Sequence, residues 1–384
     1  MSKQINQVRI AILANPEGGG GITRVVLNLL KGMTQRGISL DLVLDWAEGR
    51  PYLDQVPTGV RVVDLGEKIG FQAKSAIKLV PPLIKYLKQE KPDLLLCHLT
   101  LTNWVAVVAW IFAKVPVRLV LVEHLPLPNP DRSWRRPQSQ LPRLLRAWLY
   151  PKADAVVAVS KGMARAVEVG LKLRTGSVRA IYNPVVDERL FLNAQLPIEH
   201  PWFEPNQPPV FLAVGRLTGQ KDFSLLLQAF AQLRKQREAR LLILGEGPLR
   251  KQLEGMVAKL GIEADVLLPG FVKNPYAYMS RASVFVLSSR WEGLPTVLIE
   301  AIACGCQVVS TDCPHGPREI LAEGKYGQLV AVKDVSALAA AMQTALDSPI
   351  AIEELKQRSQ DFSVERAVTE YLKLIDLAAP TPLP

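Results

Sequence analysis

A rhythm in the chain limits its fold more than any single residue does. Short runs of β-branched residues and leucine alternate with longer stretches of helical spacing, and the series runs twice. It opens with Val8-Arg9-Ile10-Ala11-Ile12-Leu13-Ala14. A glycine turn, Gly18 to Gly21, leads into Thr23 to Leu30 at helical spacing, and Gly37 stops the helix. Leu40 to Leu44, Leu94 to Cys97, Arg118 to Val122 and Ala155 to Ser160 read as further strands. Pro197, Pro201, Pro205, Pro208 and Pro209 then fall within thirteen residues, a pattern that reads as a linker. Beyond them Val210 to Val214, Arg240 to Leu244, Val266 to Leu268, Val284 to Leu287, Val308 to Ser310 and Gln328 to Val330 repeat the alternation. Strands joined through helices pair in parallel, with helices on both faces. The expectation is an α/β chain of two doubly wound domains facing a cleft. The expected bounds are an acceptor-side domain over 1–190, a linker over 191–209, a nucleotide-binding domain over 210–362, and a helix with a tail over 363–384.

Composition narrows the class. Hydrophobic residues make up 48% and charged residues 21% of 384, enough for large cores and unlike a disordered chain. Cys97, Cys304, Cys306 and Cys313 lack the density of a disulfide framework. The longest apolar run, Trp104 to Ala113, is well short of the ~18–20 residues that span a bilayer. The opening MSKQINQVRIAILAN shows no secretory pattern, so a cytoplasmic setting is expected. The net charge of +10 is uneven: residues 1–190 hold 27 Lys and Arg against 15 Asp and Glu, and the remainder 19 against 21. A basic first half suits an anionic partner or is simply a solvated surface. No nucleic-acid module is recognisable, so no nucleic-acid partner is expected. Residues 132–152 interleave arginines with Trp134, Leu144, Leu145, Trp148 and Leu149. Such a segment suits the anionic face of a membrane, to which the protein would be peripheral, or else a cleft-side loop and a core-packed helix.

The richest segment is Ser288-Ser289-Arg290-Trp291-Glu292-Gly293-Leu294-Pro295-Thr296-Val297-Leu298-Ile299-Glu300-Ala301. It follows a strand, and Pro295 suits the first turn of a helix that Gly305 ends. Glu292 is thereby placed on a loop at a carboxyl strand end, where ligands of open α/β sheets bind. Glu300 falls one to two turns into the helix. The N–H groups of Gly293, Leu294, Pro295 (none of its own), Thr296 and Val297 mark a helix start suited to a phosphate. Carboxylates on either side can accept hydrogen bonds from sugar hydroxyls.

Glu292 and Glu300, with seven residues between them and framed by Glu-Gly-Leu-Pro and Glu-Ala-Ile-Ala-Cys-Gly, resemble the signature of retaining glycosyltransferases of family 4, which have the GT-B fold of two Rossmann-like domains. Gly20-Gly21 before a helix resembles the family's glycine loop. Val214-Gly215-Arg216-Leu217 with Lys221 resembles its phosphate-binding segment. Gly245-Glu246-Gly247-Pro248 and Pro269-Gly270-Phe271-Val272 resemble its nucleotide-side loops. The resemblance covers nearly the whole chain and is strongest over 210–332. It implies that Glu300 holds the ribose, that Glu292 contacts the donor sugar, and that Arg216 and Lys221 neutralise the leaving diphosphate. It also places His124 near the donor sugar and the last helix back on the first domain. The co-substrate would be a nucleoside-diphosphate sugar, a UDP-sugar being favoured, with no cofactor or metal. The acceptor would be a glycan or a lipid-linked precursor of cell-surface polysaccharide. Residues 312–319, Asp-Cys-Pro-His-Gly-Pro-Arg-Glu, carry that last hint.

Other readings are weaker. Gly18 to Gly21 lacks the P-loop pattern. Cys304, Cys306, Cys313 and His315 lack zinc spacing. A nucleotide-sugar epimerase on the same fold would need acid/base carboxylates in the first domain, where only Glu123 is a candidate. A non-catalytic sugar-nucleotide-binding module would have lost the pair or its cations, and both are present.

Overall fold

The computed structural model describes residues 8–14, 20–68, 76–124 and 144–375. The chain forms two compact units: Met1–Pro184 together with Val364–Pro384, and Val185–Ser363.

The first unit is built on a seven-stranded sheet. Its strands are β1 (Arg9–Leu13), β2 (Ser39–Leu44), β3 (Arg61–Asp64), β4 (Leu94–His98), β5 (Arg118–Glu123), β6 (Ala155–Ala158) and β7 (Val178–Ala180). They lie in the order β3-β2-β1-β4-β5-β6-β7, every pair parallel. The central strands are buried on both faces, as their unbroken apolar runs require. The second unit has β8 (Val210–Val214), β9 (Arg240–Leu244), β10 (Val266–Gly270), β11 (Val284–Leu287), β12 (Gln307–Thr311) and β13 (Gln328–Val330). Their order is β10-β9-β8-β11-β12-β13, again parallel. Phe211, Phe230, Leu226, Leu241 and Met342 lie in the core that one face of this sheet shares with its helices.

Three sequence expectations need correction. The proline cluster is not a free linker. Glu188–Gln195 is a helix of the second unit capped by Asp187, and Pro201 begins a short 3₁₀ turn. Proline is favoured at such a first position because its missing N–H has no partner there in any case. The change of unit falls earlier, at Pro184, and within the expected helix and tail over 363–384 the helix occupies only Val364–Leu372. Strands β3 and β7 went unread. No single described helix is long and apolar enough to cross a membrane.

The two chain crossings lie side by side. Val185 and Val186 donate to the carbonyl of Phe362 at 3.0 and 3.1 Å, and Val186 bridges Ser363. The terminal helix Val364–Leu372 then packs in the first unit against the helix Gly21–Gln35. Gly32 makes this approach possible: a Cβ there would lie 2.6 Å from Val364 Cγ1 and 2.8 Å from Val368 Cγ2. Helix propensity alone would make Gly32→Ala stabilising by about 1 kcal/mol. Overpacking runs the other way, and we expect a net loss of about 1–2 kcal/mol. Urea denaturation decides the sign, and a rise in stability would refute the role given to Gly32.

Candidate functional site

In the second unit the strand order reverses between β8 and β11, and the loops beyond their carboxyl ends meet there. Hydrogen bonds lock them together. Arg290 N donates to Gln220 O (2.8 Å), Gln220 Nε2 to Trp291 O (2.9 Å) and Ser288 Oγ to Lys221 O (2.7 Å). Arg290 also grips Asp222 through two guanidinium bonds of 2.7 and 3.0 Å. On the other side Leu217 N donates to Glu246 O (2.8 Å), and Leu249 N to Leu217 O. Gly245, at φ +141°, lets this third loop close on the first. A Cβ there would stand 2.0 Å from Gly215 O, so no other residue fits.

The locked loops bring one cation onto a carboxylate. Lys221 Nζ lies 2.7 Å from Glu292 Oε1, and Ser289 Oγ donates to the same oxygen at 2.6 Å. Gln220 Nε2 approaches Oε2 at 3.4 Å. Glu292 is only 7% exposed and Glu300 2%, so neither is a solvated surface glutamate. Glu300 sits in the helix Thr296–Ala303, whose preceding Pro295 supplies no side-chain cap. The start of that helix, with Thr296 and Val297, therefore depends on other acceptors for its free N–H groups. Arg216 is exposed, and its guanidinium makes no ion pair or hydrogen bond among the described residues. Lys221 seated on Glu292, with the exposed Arg216 five residues before it on the same loop, is an arrangement that can bind an anion, and the buried carboxylates Glu292 and Glu300 can accept from hydroxyls.

Glu246 and Phe271, at the ends of β9 and β10, are further along the same edge. Glu246 pairs with Arg250 at 2.7 Å, Phe271 is 68% exposed, and Val272 is half-buried. Among the described residues no cluster of His, Cys, Asp and Glu is arranged to hold a metal ion. Burial pushes the Cys304 and Cys313 thiols up to about 12, so neither is a thiolate near neutrality.

The first unit carries a second constellation. His98 ends β4 and His124 follows β5, its neighbour. His98 Nδ1 lies 2.8 Å from His124 Nε2, with both rings buried. Burial lowers the His124 pKa to about 4. Burial and the neighbouring ring hold His98 well below the usual histidine value. The sequence motifs point to His124 alone, and only the register of β4 against β5 reveals the pair. Glu123 points elsewhere: it is fully buried and accepts from Asn103 Nδ2 (3.2 Å) and the Tyr150 hydroxyl. That is the environment of a structural carboxylate. Gly20 caps the helix Gly21–Gln35 in an ordinary extended conformation, and a Cβ there would meet nothing within 4 Å. Gly18 and Gly19 lie outside the described residues.

Two family models match the chain: Glycosyltransferase Family 4 over residues 19–189 and Glycosyl transferases group 1 over residues 197–362. A Campylobacter jejuni GalNAc-alpha-(1->4)-GalNAc-alpha-(1->3)-diNAcBac-PP-undecaprenol alpha-1,4-N-acetyl-D-galactosaminyltransferase is 31% identical over 301 residues, 76% of this chain and 77% of its own. Another protein of that organism, an N-acetylgalactosamine-N,N'-diacetylbacillosaminyl-diphospho-undecaprenol 4-alpha-N-acetylgalactosaminyltransferase, is 32% identical over 245 residues, 64% of each chain. Among solved structures, Anabaena Alr3699/HepE in complex with UDP superposes with a TM-score of 0.77 at 21% identity, over 96% of this chain and 100% of its own.

The buried histidines make stability depend on pH. The unfolded chain takes up protons near 6.5, whereas folded His124 resists them down to about 4. Stability contributed by the neutral form is therefore present above the unfolded value and lost as pH falls below it. His124 alone accounts for about 2 kcal/mol between pH 7 and pH 5. Denaturant titrations of the wild type and His124→Gln should converge as pH falls through this range. Parallel pH dependences would show that the ring is not shielded as described.

Proposed function

Because the chain belongs to the group 1 glycosyl transferases of glycosyltransferase family 4, we propose that its second unit holds a UDP-sugar by the β8 and β11 loops and that the enzyme passes the sugar, with retention, to a lipid-linked glycan. The GT-B fold and transferase activity belong to the family; the donor, acceptor and residue roles are our reading. The observation that carries it is the Lys221–Glu292 pair at the strand-order reversal, on a loop that also carries the exposed Arg216. The epimerase alternative finds no support among the relatives, and Glu123, its acid/base candidate, is engaged in the core.

Each role has a physical basis. Negative charge grows on the departing diphosphate, and fixed cations lower the barrier most where that charge appears. Arg216 offers a bidentate fork, Lys221 a point charge, and the N–H groups of Gly293, Leu294, Thr296 and Val297 a partial positive pole. Pro295 sets the turn that aims them. Glu292 Oε1 is taken by Lys221 and Ser289, whereas Oε2 accepts only the long bond from Gln220 and keeps a lone pair for a sugar hydroxyl. Glu300 takes the ribose hydroxyls. Glu246, Phe271 and Val272 face the base. In the first unit Gly20 and Gly21 let a ligand approach the backbone closely, and His124 donates a hydrogen bond to the reacting group. No protein carboxylate is assigned as nucleophile. The acceptor attacks the face from which the diphosphate leaves, and a phosphate oxygen takes the acceptor's proton.

The names of the relatives motivate the substrates. Both Campylobacter enzymes are named for undecaprenol-linked saccharides, and the HepE structure holds UDP. A lipid-linked acceptor puts the enzyme at a membrane face, where residues 144–152 suit it. Leu144 and Trp148 are 64% and 62% exposed, and Lys152 lies 4.4 Å from the Trp148 ring. Residues 132–143 of that segment lie outside the described residues.

UDP release from a panel of UDP-sugars, with and without an undecaprenyl-diphosphate-linked oligosaccharide, tests the reading. Acceptor-dependent release with an α-linked product from an α-linked donor is expected; release from no nucleotide sugar would sink it. Arg216→Ala should lower kcat by about 10²–10³, as loss of one charge-stabilising donor does elsewhere. Arg216→Lys should recover part of that. Wild-type rates for both R216A and K221A at limiting donor would remove these cations from the mechanism. Failure to sediment with phosphatidylglycerol vesicles at low salt would remove the membrane contact.

A further inference from the structure

We propose that His98 is a positioning residue that fixes His124 as the Nδ1–H tautomer, so that His124 presents a donor and not a lone pair. This rests on the proposed role of His124.

The argument begins with backbone geometry. His98 closes β4 opposite Val122 of β5, which sets its ring beside the residue two positions on, His124. The chain is held at this point. Leu99 has φ +85° and ψ +139°, a conformation that costs a bulky residue on the order of 1–3 kcal/mol. The surrounding bonds impose it: Leu99 N donates to Val122 O (3.3 Å), Asn103 N to Leu99 O (3.0 Å), and Thr102 Oγ1 to the carbonyls of His98 and Leu99. Tyr371 of the terminal helix closes the other side of the ring, with centroids 6.5 Å apart. The His98 ring thus has one position.

Two neutral rings 2.8 Å apart share one proton, and the choice of donor sets both tautomers. If His124 Nε2–H donated, His98 would carry its own proton on Nε2. That nitrogen is buried and has no hydrogen-bond partner among the described residues. A buried orphan N–H is rarer than an under-satisfied acceptor. If His98 Nδ1–H donates instead, Nε2 keeps only an unshared lone pair, and His124 must carry its proton on Nδ1. The second arrangement is the one the surroundings favour. His124 then offers a hydrogen bond without carrying a charge, in keeping with its burial.

Two readouts test this. In ¹⁵N-histidine spectra the wild type should show His124 as a single neutral Nδ1–H tautomer. His98→Asn, whose amide N–H stands where Nδ1–H stood, should keep it, whereas His98→Leu should give a mixture. In turnover assays H98L should lower kcat by about tenfold to a hundredfold with donor KM within threefold. H98N should recover to within about fivefold. If H98L does not fold, His98→Gln, which displaces the amide by a methylene, takes its place. An Nε2–H signal at His124 in the wild type, or a misplaced-donor variant as active as H98N, overturns the proposal. His124→Phe separates the two readings. Full activity in H124F refutes the role of His124 itself, while the spectra still decide what His98 does to its proton.

Discussion

A strand paired in parallel with its predecessor cannot be reached by a tight turn. The chain must return through a helix, so every strand of such a sheet ends at the same edge. All else in this molecule depends on that constraint. In each unit the first strand lies at the middle of the sheet and the order reverses beside it. At that point the loops on either side run in opposite directions and open a gap at the carboxyl edge. Arg216 and Lys221 follow the first strand of the second unit, and Glu292 follows the strand across the reversal. Groups seventy residues apart in sequence meet because topology leaves them no other place.

What they form is an ion pair under partial burial, and such a pair is a poor source of stability. Coulombic gain is largely offset by the desolvation of two charges. Its value is orientation. Ser289 and Gln220 hold the carboxylate, backbone bonds hold both loops, and Arg290 with Asp222 braces them from outside. Lys221 is therefore aimed before any anion arrives. On the proposed function, a diphosphate competes for an ammonium that a carboxylate already holds, and the open guanidinium of Arg216 meets the surplus negative charge.

Most strands were legible because burial on both faces leaves an unbroken apolar run. β3 was not, since it is an edge strand whose Arg61 and Asp64 face solvent, and three-residue β7 gives too little pattern. The proline cluster misled for a chemical reason. Proline begins helical turns as readily as it marks linkers, and Asp187, the cap that would have announced the helix, stood ahead of the expected boundary. At the candidate site, the order of motifs along the sequence pointed to Arg216, Lys221, Glu292 and Glu300. Their burial and pairing were not legible, because a glutamate in a loop looks alike whether it meets water or a lysine 71 positions away. His98 was invisible as a partner for the same reason: its relation to His124 exists only in strand register.

The return of the terminal helix to the first unit has a consequence for biosynthesis. A ribosome that has completed residue 184 has made every strand of the first sheet, yet not Val364, Val368 or Tyr371. The groove at Gly32 and the side of His98 that Tyr371 covers stay open until residues 185–363 have been translated. At about 5–20 residues per second that interval lasts on the order of 10–40 s. The first half of the chain must wait that long with an apolar helix face uncovered, and a stretch made only after the whole second unit completes the part that was begun first.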